Sequence, residues 1–262
     1  MTVFNHELRQ GRIAFCIWTA IIGTLLAVCV FLFPEMKGEM DAVGDLFSSM
    51  GAFTAAFGMD QLNFGTLIGY YAIECGNVMG LGGAFYASVS AVSILSKEEA
   101  NHSADFLFTH PVSRRNVVMQ KLLAVLGFIT GMNLIILALS LGSMAVIGEA
   151  ISWKALLLLH LAYFLLQLEI ACICFGISAF LRRGGAALGI GVAVLLYFLN
   201  IVSNLTDSAM LLKYITPFGY CDGAEITHDL RLDGAKLLIG CAISLAGILA
   251  AWIYYPKKDL SV

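Results

Sequence analysis

The feature that most restricts this chain is a succession of long apolar runs broken by short polar stretches. Six runs, at roughly 13–33, 66–95, 117–147, 154–181, 185–204 and 235–255, reach the length of about 20 residues that a helix needs to cross a bilayer. Hydrocarbon offers no partner for backbone N–H and C=O groups, so a spanning segment has to satisfy them internally, and helices do this. Composition agrees, with 60% hydrophobic and 13% charged residues, against about 45–50% and about 25% in soluble domains. The expectation is an all-α membrane protein: a single transmembrane domain over residues 1–262 with six spans, at home in a lipid bilayer and with no nucleic-acid partner.

The first run follows Arg9 and Arg12 and so resembles a signal peptide at its start. It continues to Phe33, longer than the usual 7–15-residue signal core, and shows no small-residue cleavage pattern. It reads as a retained helix that stops at Pro34. Six spans place both termini on one side. If that side is the cytoplasm, ten basic residues lie inside (Arg9, Arg12, Lys97, Arg114, Arg115, Lys121, Arg182, Arg183, Lys257 and Lys258). Five lie outside (Lys37, Lys154, Lys213, Arg231 and Lys236). This asymmetry favours cytoplasmic termini.

Two outer segments are too polar to span. From Met40, apolar residues fall at Val43, Leu46, Phe47, Met50, Phe53 and Phe57, one helical stripe opposite Asp41 and Asp45. This predicts an amphipathic helix in the outer interface. The aromatic stretch "LLKYITPFGYCDGAEI" reads as a short helix and a turn near the outer surface, or as a solvated connector. Small residues recur every four positions at Gly76, Gly80, Ala84 and Ser88, at Gly127 and Gly131, and at Gly185, Gly189 and Ala193. In lipid such faces let helices approach closely, within one chain or between two copies.

Several chemistries have no support. Six of the seven cysteines lie in apolar runs, where they pack as small soft residues, and Cys221 has no obvious partner. No Gly-Lys dipeptide occurs, so there is no phosphate-cradling P-loop. "HELRQ" at His6 puts Gln10 where a zinc-protease helix needs its second histidine. The five histidines are dispersed, and no metal site is expected.

The polar stretch 96–121 stands out against this background. It holds Lys97, Glu98, Glu99, Asp105, Arg114, Arg115 and Lys121, and it places Phe106, Leu107 and Phe108 in a loop, where exposed aromatics call for a partner surface. Pro111 breaks the chain, and Ser113 is placed to cap a helix running on through Lys121.

At these residues the sequence resembles the permease subunits of bacterial type-2 ATP-binding-cassette (ABC) exporters, which carry an "E-E-x-x-G-T-x-E-F-L-L-x-x-P-V-S-R-x-x-I-x-x-x-K-L-x-A" pattern. Glu98, Glu99, Asp105, the Phe106–Leu107 pair, the Pro111-Val112-Ser113-Arg114 core and the Lys121–Leu122 close match it, whereas His102 stands where the family has glycine. The resemblance implies a coupling helix in this loop that docks a separate P-loop ATPase subunit. Phe106, Leu107 and Phe108 would be its anchors, and Glu98, Glu99, Asp105, Arg114 and Arg115 would set register. It also implies pairing with a second permease copy or paralogue in the bacterial plasma membrane. ATP and Mg would be held by the ATPase, with no cofactor on this chain and no enzymatic activity of its own.

Glu74 and Glu169 fall inside apolar runs. Ionisable residues there are costly and are functional candidates by default. Each is either a protonated strut between helices or part of a substrate or proton path. Should the pair carry protons, the alternative function is an ion- or proton-coupled secondary transporter. A membrane scaffold without transport is a third reading. Substrate identity is not legible.

Overall fold

The computed structural model describes residues 2–38, 51, 54, 56, 65–100, 113–183 and 185–258. Every regular element among them is helical. Helix α1 (Thr2–Met36) begins well before its apolar run, with Pro34 accommodated in the last turn. Thr19, Ile22, Leu26, Val30 and Phe33 make its buried stripe at three- and four-residue spacing.

The run expected as the second span is divided. Thr66 caps α2 (Leu67–Glu74), its hydroxyl accepting from the Gly69 N–H at 3.2 Å. A π-helical segment follows (Cys75–Gly82), then α3 (Gly83–Val92). The glycine-rich sequence of the π segment lets Tyr163 lie close: a Cβ built on Gly76 or Gly80 would stand 3.1 Å from that side chain. A π turn diverts carbonyls from the i→i−4 ladder. Met79 O, which accepts from the Gly83 N–H, also accepts from Gln167 Nε2 at 3.2 Å.

A single turn, α4 (Lys97–Ala100), precedes the loop, whose residues 101–112 lie outside the described set, as does almost all of the amphipathic stretch expected from Met40. Helix α5 (Arg114–Ile147) starts at Ser113, which caps it as expected by accepting from the Asn116 N–H at 3.3 Å. It ends at Gly148, whose φ of 72° is the left-handed conformation that glycine adopts freely. Helices α6 (Trp153–Phe180) and α7 (Ala186–Leu205) follow.

The aromatic stretch forms two 3-10 helices (Asp207–Tyr214 and Pro217–Tyr220) and a short α8 (Gly223–Asp229). It is not a solvated connector: Phe218, Tyr220 and Cys221 are buried in the bundle, and Thr216 Oγ1 donates to Leu196 O at 2.7 Å. Asp233 caps α9 (Gly234–Tyr254), and a 3-10 turn (Tyr255–Lys257) closes it.

Among the described residues, five helices, α1, α5, α6, α7 and α9, are long and apolar enough to cross a membrane. Helix α6 is the hub. Its most apolar window is 61% buried, against 11% to 39% for the other four, because α3, α5 and α9 all pack on it. Contact with α9 is close because it runs over glycine. A Cβ on Gly247 would stand 2.4 Å from Cys172 O, and one on Gly176 2.8 Å from Gly247 O. Helix α1 packs on α5 and α7 packs on α3, where a Cβ on Gly189 would meet Ser88 O at 2.9 Å. The small-residue faces at Gly76, Gly80 and Gly189 are therefore spent within the chain. Gly127 and Gly185 face open space.

Candidate functional site

The polar residues flanking the loop are gathered into a buried ionic cluster. Lys121, in the second turn of α5, is fully buried. Its ammonium donates to Glu98 Oε1 and to Ile94 O, the latter at 2.5 Å. It also stands 3.1 Å from Glu7 Oε1, within ion-pair reach but outside hydrogen-bond geometry. Glu7 Oε2 in turn accepts from Lys97, which also donates to Gln10 Oε1 at 2.6 Å. Nearby, Glu99 Oε1 pairs with Lys258 at 2.8 Å. Arg114 donates to Lys258 O at 2.6 Å, and the Phe4 N–H donates to Gln120 Oε1 at 3.1 Å. So α1, the end of the α3 segment, the start of α5 and the C-terminal turn are tied at one end of the bundle. Glu7, Gln120 and Lys258 are the members that sequence reasoning missed. A lone glutamate among arginines before an apolar run carried no signal of burial.

Of the loop residues expected to dock a partner, Asp105, Phe106, Leu107, Phe108 and Pro111 lie outside the described residues. Glu99 and Lys121 are buried, Glu98 and Arg114 are partly buried, and Arg115 is exposed. Glu98, Glu99 and Lys121 face the bundle's own charges, and Arg114 donates to backbone carbonyls of the C-terminal turn.

A second group of polar side chains lies deep among the spans. Glu169, 3% exposed, accepts from Tyr220 Oη at 3.0 Å and lies against Gly240, where a Cβ would stand 2.3 Å from Oε2. The glycine thus makes room for the carboxyl. Glu74 is partly buried and accepts from Cys29 Sγ at 3.5 Å. The two acids have separate partners, as their different depths imply. Gln167 accepts from Asn133 Nδ2 at 2.6 Å, and Tyr71 Oη lies 2.7 Å from Ser140 Oγ and 2.9 Å from His160 Nε2. Toward the end that holds α8, a small cavity of about 70 Å³ is lined by Asn77, Tyr163, Tyr197, Asn200, Lys213 and Asp222, among others. Burial pushes the Asp222 carboxyl above its usual range although it accepts from the Ala224 and Glu225 N–H groups. At the exposed end of α8, His228 and then Arg231 hold the Asp229 carboxyl low.

This all-helical bundle, with its long apolar helices and ion-tied loop ends, agrees with one family over nearly its whole length. The model described as ABC-2 family transporter protein matches residues 1–254. The chain belongs to the ABC-2 transporter family. An ABC-2 chain is the membrane-embedded permease part of an ABC transporter, and the ATPase is a partner of it. This permease is accordingly a multi-pass transport protein. No curated protein matches the permease.

Proposed function

We propose that this permease is the substrate-conducting subunit of an ATP-driven exporter in the bacterial plasma membrane. It would act as one domain over residues 1–262, paired with a second copy or a paralogue. In this reading α2, the π segment and α3 together make a sixth span, and both termini face the cytoplasm. The loop between α4 and α5 holds a coupling helix that docks a P-loop ATPase, in which ATP and Mg bind. Phe106, Leu107 and Phe108 anchor the contact, with Pro111 turning the chain. Asp105 and Arg115 supply rim charge, which sets register and encounter rate more than affinity. Glu74 and Glu169 belong to the substrate path.

One observation carries the reading best: the ion cluster clamps both ends of the loop, through Lys97 and Glu98 on one side and Lys121 on the other, to Glu7 of α1. A push on a loop held this way is delivered to several helices at once rather than absorbed at a hinge. The buried pairs are therefore levers, whereas the apolar loop residues are contacts.

The test is co-purification from the native host. Phe106→Asp combined with Leu107→Asp should abolish capture of the ATPase while the permease still inserts. Undiminished capture would remove the docking role. A cysteine placed at Asp229 in a chain cleared of its own cysteines should react with an impermeant thiol reagent on whole cells, and one at Ser113 should not. The reverse pattern would invert the orientation.

A further inference from the structure

The cavity of about 70 Å³ at the end that holds α8 is lined by one cation, Lys213, and one carboxylate, Asp222. Packed backbone carries both. Lys213 lies in the last turn of the first 3-10 helix, and Gly219 of the second comes so near that a Cβ there would collide with Lys213 O. Asp222 caps α8, whose first residue rests on α2: a Cβ on Gly223 would meet that of Ala72 at 3.2 Å. Next to Asp222, Cys221 O accepts from the Tyr163 hydroxyl at 3.1 Å.

The polar groups of this wall are open and unspent. Asp222 uses Oδ1 alone, toward the Ala224 and Glu225 N–H groups. Its Oδ2, the Lys213 ammonium and the side-chain amides of Asn77 and Asn200 bond to nothing among the described residues. None of these groups is sealed away, since Asn77 is exposed and Asn200, Lys213 and Asp222 are only partly buried. Lys213 and Asp222 share the cavity without forming an ion pair, although a lysine stem is long and flexible. Burial raises the Asp222 carboxyl, and Lys213 is the smallest of the influences that pull it back.

We propose that this cavity binds the zwitterionic end of a small α-amino acid, its carboxylate toward Lys213 and its ammonium toward Asp222. The signs on the wall select this class. A lone anion drawn to Lys213 meets the Asp222 carboxylate, and a lone cation drawn to Asp222 meets the ammonium. A ligand with both charges satisfies both. The Asn77 and Asn200 amides can each donate to its carboxylate or accept from its ammonium. Size narrows the choice further, because the cavity has the liquid volume of about two waters. It takes the end of a molecule, and an ammonium, α-carbon and carboxylate make such an end, with the side chain left at the mouth. The site depends neither on the direction of transport nor on ATPase docking.

The experiment uses the full-length permease in phosphatidylcholine nanodiscs and follows saturation transfer from the protein to the methylene protons of glycine. Acetate, methylammonium and phosphoethanolamine are titrated as competitors. Glycine should bind saturably and at least about tenfold more tightly than acetate or methylammonium, each of which lacks one charged hydrogen bond. Asp222→Asn keeps a capping oxygen for α8 and should bring glycine down to the affinity of acetate. Lys213→Gln should bring it down to that of methylammonium, with thermal unfolding unchanged. Should Asp222→Asn lower the unfolding temperature, Lys213→Gln decides alone. Three results would overturn the proposal. Absence of a saturable glycine signal would leave the cavity to water, and equal binding by acetate or methylammonium would make it a simple ion site. Phosphoethanolamine competing more strongly than glycine itself would assign it to a lipid headgroup.

Discussion

Glu7 Oε1 and Lys121 Nζ stand 3.1 Å apart, so the start of the first helix is fastened to the start of the helix that follows the loop. Both side chains are withdrawn from solvent. A charge in such a place is tolerated only with its partners. Lys121 is the shared cation of Glu7 and Glu98, Glu7 having Lys97 besides, and breaking a buried pair by removing one partner typically costs about 3–5 kcal/mol.

Lys121→Met should therefore lower the unfolding free energy of the detergent-solubilised permease by about 3–5 kcal/mol. Adding Glu98→Gln should recover part of this loss, since the carboxylate that faced Lys121 is then neutral while Glu7 keeps Lys97. Thermal unfolding of the single and double variants checks it. A harmless single substitution would show that the cluster is solvated.

Gln167 joins Met79 O of the π segment to Asn133 of α5. Interhelical hydrogen bonds in membranes average about 0.6 kcal/mol, with a maximum near 1.7. Gln167→Leu breaks two and should cost about 1–3 kcal/mol. Hydrogen exchange should rise in 75–82 and stay unchanged in α9. Uniform loss of protection would assign Gln167 to the general core instead.

Gly247 touches the backbone of Cys172 with no space for a methyl group. Gly247→Val should destabilise the bundle by about 1–3 kcal/mol or more, the usual cost of overpacking. Gly127→Ala, in open space, should be neutral or mildly stabilising through helix propensity. Unfolding temperatures of the two variants decide between close helix contact and incidental spacing.

Glu169→Gln keeps an oxygen that can accept from Tyr220, so the complex should assemble and hydrolyse ATP. If the carboxyl serves the substrate path, efflux from reconstituted vesicles should fall at least about tenfold while ATPase rate is retained, a loss of about 1.4 kcal/mol in transition-state terms. Equal loss of both rates would mean structural damage, and no loss of either would strike Glu169 from the path.

The five long helices were legible from run length, and the start of α5 from Ser113, although α1 runs to Met36, past the stop expected at Pro34. The features that held are local: apolar length and a capping hydroxyl act within a few residues of themselves. The resemblance around Pro111–Arg114 likewise needed only consecutive residues and agreed with the family shared by residues 1–254. The π segment was not legible, because its pattern is as apolar and glycine-rich as an ordinary span and the side-chain bond to its Met79 carbonyl comes from Gln167 on another helix. Nor could the sequence show that Glu7 is buried, that Tyr220 reaches Glu169, or that Gly240 and Gly247 receive α6. Each of these depends on which helices lie side by side, and periodicity along one helix does not encode its neighbour. Chain order and hydrophobicity decide what enters the membrane. Only the packing decides which polar groups meet inside it, because a buried charge or carbonyl is stabilised by partners that are distant in sequence.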